Sequence, residues 1–397
     1  MSEGDSTGTV AGTAAAGAAW RRGAGFAGAA VGVVAAGAAV GVAVERLTVG
    51  RGMRRKARLA LDSSGPYGTL RGTPGTAVAA DGTELYYEVD EVAEPEAERP
   101  GRRFGRRTAA AAPPVTVVFS HGYCLSQDSW HFQRAALRGK VRMVFWDQRS
   151  HGRSERGRGT PLSVDLLGHD LKAVIDAAAP EGPLVLVGHS MGGMTTMALA
   201  AHHPGLIAER VVGAAFVNTS SGRMSEVTYG LPAAGWSVAR RILPGAFKLM
   251  TTQTELVEKG RRATSEIIGG VIKRYSFGAG DVDPAVARFA ERLIEATPVD
   301  VVAEFYAVFA GHDKLAALSA FDHLPVLVLA GDKDMVIPHT HSEVIAEALP
   351  DADLVLVPGA GHMVMMEHPG LVDDHLAELL AEAGAVGAAT PRTAPAP

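Results

Sequence analysis

Gly188-His189-Ser190-Met191-Gly192 sets one serine between two glycines, directly after the apolar run LVLV at 184–187 and before the helical stretch MTTMALAAHH. A strand that turns this sharply into a helix needs small residues at both glycine positions. In return it lifts the serine hydroxyl above the sheet. A hydroxyl is a poor nucleophile until a base takes its proton. His362, in the Gly-rich stretch LVLVPGAGHMV, stands where such a base would emerge after a last strand. To orient the imidazole, LVLAGDKDMVIP offers Asp332 and Asp334. Asp334 lies farther along the loop and is assigned as the acid, which leaves Asp332 to shape the turn. The order Ser190, Asp334, His362 is the one a serine nucleophile, its acid and its base take on a strand–helix sheet.

An acyl-transfer reaction also needs donors for a developing oxyanion. Met191, next to the serine, is expected to supply one backbone N–H. Tyr123, in the His121-Gly122-Tyr123 loop after VTVVFS, is expected to supply the other. One such donor is worth about 3 kcal/mol of transition-state stabilisation. Other polar residues read as structural. His121 is a loop residue, and His368 lies beside Pro369 at a helix start. Asp147, Arg149 and His151 in WDQRSHGRS are expected to stabilise their own turn through an internal ion pair. Cys124, the sole cysteine, reads as a small buried residue. His339 and His341 flank Thr340 in a loop and are weak evidence for a metal. After VVGAAFV, where another sheet of this kind could carry its acid, the chain reads Asn218-Thr219-Ser220, with no carboxylate.

These residues must be held by a regular framework, and the chain supplies one. GTAVAADGTELYYEVDEV predicts a β-hairpin turning at Asp81-Gly82. VTVVFSHG, VRMVFWDQ, PLVLVGHS, VVGAAFVNTS, LPVLVLAGDKD and ADLVLVPGAGH each carry a short apolar run suited to a strand buried on both faces. Helical patterns separate them, such as SVDLLGHDLKAVIDAAA with Val164, Leu167, Leu171, Val174 and Ile175 on one side. Alternating strands and helices predict a parallel sheet with right-handed crossovers. About a hundred residues, 221–322, interrupt the rhythm with amphipathic helices that include VDPAVARFAERLIEA and VDVVAEFYAVFAGHDKLAAL. They read as a cap over the C-terminal edge of the sheet, where open parallel sheets bind ligands.

Composition bounds the alternatives. The 397 residues are 47% hydrophobic and 20% charged, enough for one large domain with a sub-domain or for two modest domains. A formal net charge of −5 offers no basic field for nucleic acid, so no nucleic-acid partner is expected. A single cysteine forbids an intrachain disulfide and fits a reducing compartment. Residues 23–44 are uncharged and almost entirely Gly, Ala and Val, with G-x-x-x-G steps at Gly28/Gly32 and Gly37/Gly41. Twenty-two such residues reach across a bilayer, though Ala and Gly favour insertion only weakly. A membrane anchor, a cleaved export signal and a low-complexity extension compete for this segment. The basic residues after it (Arg46, Arg51, Arg54, Arg55, Lys56, Arg58) outnumber Arg21 and Arg22 before it, so an anchored protein would keep its main body cytoplasmic. Export fits least well, because the residues after Arg21-Arg22 match a twin-arginine signal poorly. Residues 91–114 read as an exposed inserted loop.

HGY, DQRSHGRS, GHSMGG, GDKDMVIP and GAGH, in this order and at these intervals, resemble the α/β-hydrolase superfamily, with the serine esterase/lipase-like branch nearest. The resemblance runs from about Thr76 to Gly384. It implies an α/β-hydrolase fold with a mostly parallel eight-stranded sheet, a helical cap between strands six and seven, a mobile lid and a Ser–Asp–His triad. Branches with an aspartate nucleophile are disfavoured by Ser190. Arg149-Ser150 departs from the arginine-glycine of many relatives. The expected organisation is an N-terminal extension or anchor over 1–60, a core over 61–220 and 323–383, a cap over 221–322 and a tail over 384–397. The expected activity is cofactor-free cleavage of a carboxylic ester with an apolar group through an acyl-enzyme, the cap supplying Leu231, Trp236, Leu249, Phe305 and Phe309. Thioester, C–C bond or lactone hydrolysis and cofactor-free perhydrolysis share the same residues. A catalytically silent binding protein on the same fold is the alternative from another class. The oligomeric state stays open.

Overall fold

The computed structural model describes residues 67–93, 113–230, 232–255, 257, 272–278 and 282–385. The segment 23–44, the extension over 1–60 and nearly all of the inserted loop and the tail lie outside the described residues. No helix among the described residues is long and apolar enough to cross a membrane.

In chain order the elements are β1 (Thr73–Val78), β2 (Glu84–Asp90), β3 (Thr116–Ser120), α1 (His131–Leu137), β4 (Arg142–Trp146), α2 (Val164–Ala178), β5 (Leu184–His189), α3 (Met191–His202), α4 (Pro204–Arg210) and β6 (Val211–Val217). There follow α5 (Ala233–Thr252), α6 (Pro284–Ala296), α7 (Val299–Phe309), β7 (Val326–Gly331), α8 (Thr340–Ala348), β8 (Asp353–Val357), α9 (Val364–Glu367) and α10 (Pro369–Glu382). The strands form one eight-stranded sheet in the order β1-β2-β4-β3-β5-β6-β7-β8. β1 and β2 pair antiparallel, β2 runs antiparallel to β4, and the strands from β4 to β8 are parallel.

The apolar runs work as two-faced strands. Val117, Phe119, Val185, Val187, Ala215, Val217, Leu327 and Leu329 enter one core layer, with Leu376 and Leu380 of α10. Their immediate neighbours Val118, Leu186, Ala214, Phe216, Val326 and Val328 enter the other, with Leu171 and Val174 of α2 and Met197 of α3. This alternation is the period of two that puts successive strand residues on opposite faces. α2 begins where Ser163 Oγ accepts the Leu166 N–H at 3.0 Å. The predicted stripe Val164, Leu167, Leu171, Val174 and Ile175 is buried, each side chain contributing about 1.5–3 kcal/mol.

Among the described residues, helices α5, α6 and α7 lie in the interval between β6 and β7. The run read as one helix from Val299 breaks after α7. Its last residues enter a 3-10 turn, Leu315–Phe321, that packs Leu318 and Phe321 into the core layer of Phe216.

Candidate active site

The C-terminal ends of β3, β5, β6, β7 and β8 converge on Ser190. At the end of β5 the chain takes φ 53° and ψ −119° at Ser190 and enters α3 at Met191. A non-glycine residue held there costs on the order of 1–3 kcal/mol, so it persists only where the surroundings fix it. The Ser190 N–H donates to Val217 O at 2.9 Å, and the Ser190 carbonyl accepts Thr219 Oγ1–H at 2.6 Å and the Gly193 N–H at 3.0 Å. The flanking glycines are required by close approach. A Cβ on Gly188 would meet the Gly192 backbone at 2.6 Å, and one on Gly192 would meet Ser120 O at 2.1 Å.

Opposite the serine, the loop after β8 presents His362. Its Nε2 lies 3.0 Å from Ser190 Oγ, and its Nδ1 lies 2.7 Å from Asp334 Oδ2. A carboxylate only accepts, so the proton sits on Nδ1 and Nε2 is left to accept from the hydroxyl. Asp334 follows β7, and its Oδ1 accepts the N–H groups of Val336 at 2.8 Å and Ile337 at 2.9 Å. Ser190, Asp334 and His362 are 6%, 6% and 8% exposed, so the hydrogen-bonded row is largely screened from water. The structure thus brings together the three residues singled out from sequence.

The loop after β3 passes against the serine, since a Cβ on Gly122 would stand 3.2 Å from Ser190 Cβ. The N–H groups of Tyr123 and Met191 belong to this junction and enter none of its main-chain hydrogen bonds. The Tyr123 hydroxyl donates to the Val302 carbonyl of α7, and its ring meets Phe305 and Phe309 at centroid distances of 6.3 and 5.2 Å. Met191, Leu167, Val301 and Phe305 form one apolar cluster beside it. Of the other apolar cap residues, Leu249 is exposed, Leu231 lies outside the described residues, and so does the side chain of Trp236.

The other polar residues singled out from sequence have partners of their own. Asp332 Oδ1 accepts the Gly359 N–H at 2.7 Å and so ties the β7 turn to the β8 turn. His121 Nε2 accepts the Gln148 N–H at 2.9 Å, and burial pushes its pKa down to about 3. Cys124 is buried, and its N–H donates to His151 Nε2 at 3.3 Å. His341 Nδ1 meets Ser220 Oγ at 2.8 Å.

The expected ion pair inside WDQRSHGRS is not formed. Arg149 instead reaches out to Asp170 of α2, with contacts of 2.5 and 2.6 Å, and to Asp81 of the hairpin turn at 2.8 Å. Asp147 accepts the N–H groups of Gln127 at 2.7 Å and Arg153 at 2.9 Å. The turn bends Asp147 back onto the chain while the longer arginine reaches α2, and residue spacing alone carries no such information. Ser150 takes φ 65°, and its Oγ accepts the Gly157 N–H at 3.2 Å.

Two residues at the site carried no functional reading from sequence. His189 Nε2–H donates to the His362 carbonyl at 2.9 Å, and Asn218 Nδ2 donates to Asp334 Oδ2 at 2.7 Å. Asn218 directly follows an apolar strand run and His189 follows one after a single glycine, which is the signal that could point to them.

A family model described as the alpha/beta hydrolase fold matches residues 115–369. A protein of Caulobacter sp. (strain K31) named "Putative carbamate hydrolase RutD" is 30% identical over 64% of this chain and 85% of its own. The monoacylglycerol lipase of Mycolicibacterium smegmatis is 27% identical over 64% of this chain and 83% of its own. Among solved structures, the esterase RhEst1 from Rhodococcus sp. ECU1013 aligns with a TM-score of 0.59 at 21% identity, covering 79% of this chain and all of that one. At that identity the likeness speaks for the fold alone.

Proposed function

The chain belongs to the α/β-hydrolase family, and we propose that within it the protein cleaves a carboxylic ester carrying an apolar group through an acyl-enzyme on Ser190. The observation that carries this reading is the unbroken row Ser190 Oγ, His362 Nε2, His362 Nδ1, Asp334 Oδ2, with contacts of 3.0 and 2.7 Å. Ser190 Oγ attacks the carbonyl carbon as its proton passes to His362 Nε2, and Asp334 steadies the imidazolium. The N–H groups of Tyr123 and Met191 receive the oxyanion. His362 then returns the proton to the leaving alcohol, and water repeats the sequence to free the acid. Tyr123, Phe305 and Phe309 beside the site favour an apolar group on the substrate. A relative named as a monoacylglycerol lipase supports ester cleavage, and lactones, thioesters and carbamates are neighbouring substrate classes to be compared directly.

A fluorophosphonate probe tests the reading. Labelling at Ser190, abolished in Ser190→Ala and strongly reduced in His362→Ala, is the expected result. A panel of p-nitrophenyl esters of graded acyl length, run beside thioester, lactone and peracid assays, then ranks the substrate classes. A folded wild-type protein that takes no label would instead be a silent binding protein, and the proposal would fail.

A further inference from the structure

Asp334 divides its two carboxylate oxygens between two tasks. Oδ1 is committed to the main-chain N–H groups of Val336 and Ile337, whereas Oδ2 faces His362 Nδ1 and Asn218 Nδ2, each at 2.7 Å. Asn218 directly follows β6, is fully buried and takes φ 44°. Its main-chain N–H donates to Leu329 O of β7 at 2.8 Å, which fixes the residue between two strands. Its Nδ2 also lies 3.3 Å from the Gly361 carbonyl. Both neighbours are acceptors, so the amide must turn its nitrogen to them, and its Oδ1 is then buried with no partner among the described residues. A side chain serving packing alone would gain nothing from this orientation. The orientation is explained by what the nitrogen does.

We propose that Asn218 is a positioning residue, resting on the reading of Ser190, His362 and Asp334 given above. Its amide pins the Asp334 oxygen that receives His362 Nδ1–H, holds the main chain just before His362, and draws charge from that oxygen. The last effect limits how strongly the carboxylate favours protonated His362. Without Asn218, more of the Asp334 charge acts on the imidazole, and the base takes up its proton at higher pH.

The other titratable groups around this array are common to wild type and the residue-218 variants. From β5, the His189 ring lies tilted 4.8 Å from that of His362 and is kept neutral by burial. From α8, His341 faces Asp334 at longer range, with Arg223 and Glu226 behind it, themselves paired at 2.6 Å. From α9, Glu367 Oε2 accepts the Gly361 N–H at 2.8 Å. In the β7 turn, Asp332 and Lys333 pair with each other at 3.2 Å. A difference between wild type and a residue-218 variant therefore reports Asn218.

The test is the rate constant for fluorophosphonate labelling of Ser190 against pH, in the full chain, for wild type, Asn218→Ala and Asn218→Asp. Asn218→Ala is expected to label roughly tenfold more slowly at the plateau, with the acid limb moved to higher pH. Asn218→Asp keeps the side chain's size and adds a carboxyl against Oδ2, so its limb should move up further. Thermal melts identify any variant that has lost its fold, and the near-isosteric aspartate keeps the test alive if alanine does not fold. An acid limb unchanged in folded Asn218→Asp overturns the proposal, whatever happens to the plateau. Failure of wild type to label at Ser190 refutes the underlying reading instead, and this inference with it.

Discussion

Asp334→Asn should abolish most of the activity without disturbing the fold, for a reason visible in its four hydrogen bonds. Oδ1 accepts two main-chain N–H groups, so an asparagine must place its carbonyl oxygen there and its NH2 at the Oδ2 position. That NH2 then faces His362 Nδ1, which can respond only by giving up its proton and accepting, and Asn218, which must turn its amide oxygen toward it. The proton moves to Nε2, which points at Ser190 Oγ 3.0 Å away. The imidazole becomes a donor to the hydroxyl it should deprotonate. The same tautomer error in a serine protease costs about 10⁴ in kcat, or about 5 kcal/mol of transition-state stabilisation. Initial rates on a p-nitrophenyl ester, with thermal melts as a control on folding, measure the effect. Asp332→Asn is the paired control. Asp332 bonds the Gly359 N–H and Lys333, not His362, so its variant should stay near wild type. An Asp334→Asn enzyme within tenfold of wild type would refute the assignment of the acid, and a crippled Asp332→Asn would transfer it.

Asp170→Asn should cost about 3–5 kcal/mol of stability in urea melts, because it strips a buried guanidinium of its bidentate partner. The remaining contact of Arg149 with Asp81 keeps the loss toward the lower figure, and a change under about 1 kcal/mol would show that the pair is dispensable. Burial pushes Asp147 up to about 6, against an ordinary value of 3.8. The folded state therefore holds more protons than the unfolded state between these values, and this carboxyl destabilises the fold as pH rises through them, by up to about 3 kcal/mol. His121 and His151, pushed down by burial to about 3 and about 4, act oppositely and lose stability as pH falls below 6.5. The readout is thus the difference in unfolding free energy between wild type and Asp147→Asn from pH 4 to 7, and parallel curves would contradict it.

What was legible in the sequence was what local rules govern. Glycines around Ser190, apolar runs before Ser190, Asp334 and His362, and the stripe on α2 each follow from sterics or periodicity within a short window. Contacts decided by where two distant loops meet left no such trace. Arg149 and Asp147 are two residues apart yet point to different parts of the molecule, one to α2 and the hairpin, the other to the backbone beside it. At position 218 the sequence shows only the lack of a carboxylate, although the Asn218 amide meets the acid supplied by the next strand. His189 occupies the variable position of the G-x-S-x-G pattern, where the pattern itself asks for nothing. Its bond to the His362 carbonyl exists because β5 and the β8 loop end side by side.

The strain at Ser190 shows why the sheet, rather than the loop, makes the serine available. Its positive φ would relax if the residue were free, at a gain of about 1–3 kcal/mol. It is not free, because its N–H is held by Val217 of β6 and its carbonyl by Thr219 and the first turn of α3. Bonds of this kind contribute about 0.5–1.5 kcal/mol each, so together they match or exceed the cost. Two of these anchors, Val217 and Thr219, depend on β6 ending level with β5, a register in which His189 pairs with Val217. Asn218 follows immediately on Val217 and reaches Asp334, so the same stretch that sustains the serine also braces the acid. A slip of one residue in β6 would therefore release the strained serine and misplace the carboxylate at once. Nucleophile and acid are thus set by one strand end, although neither of them belongs to it.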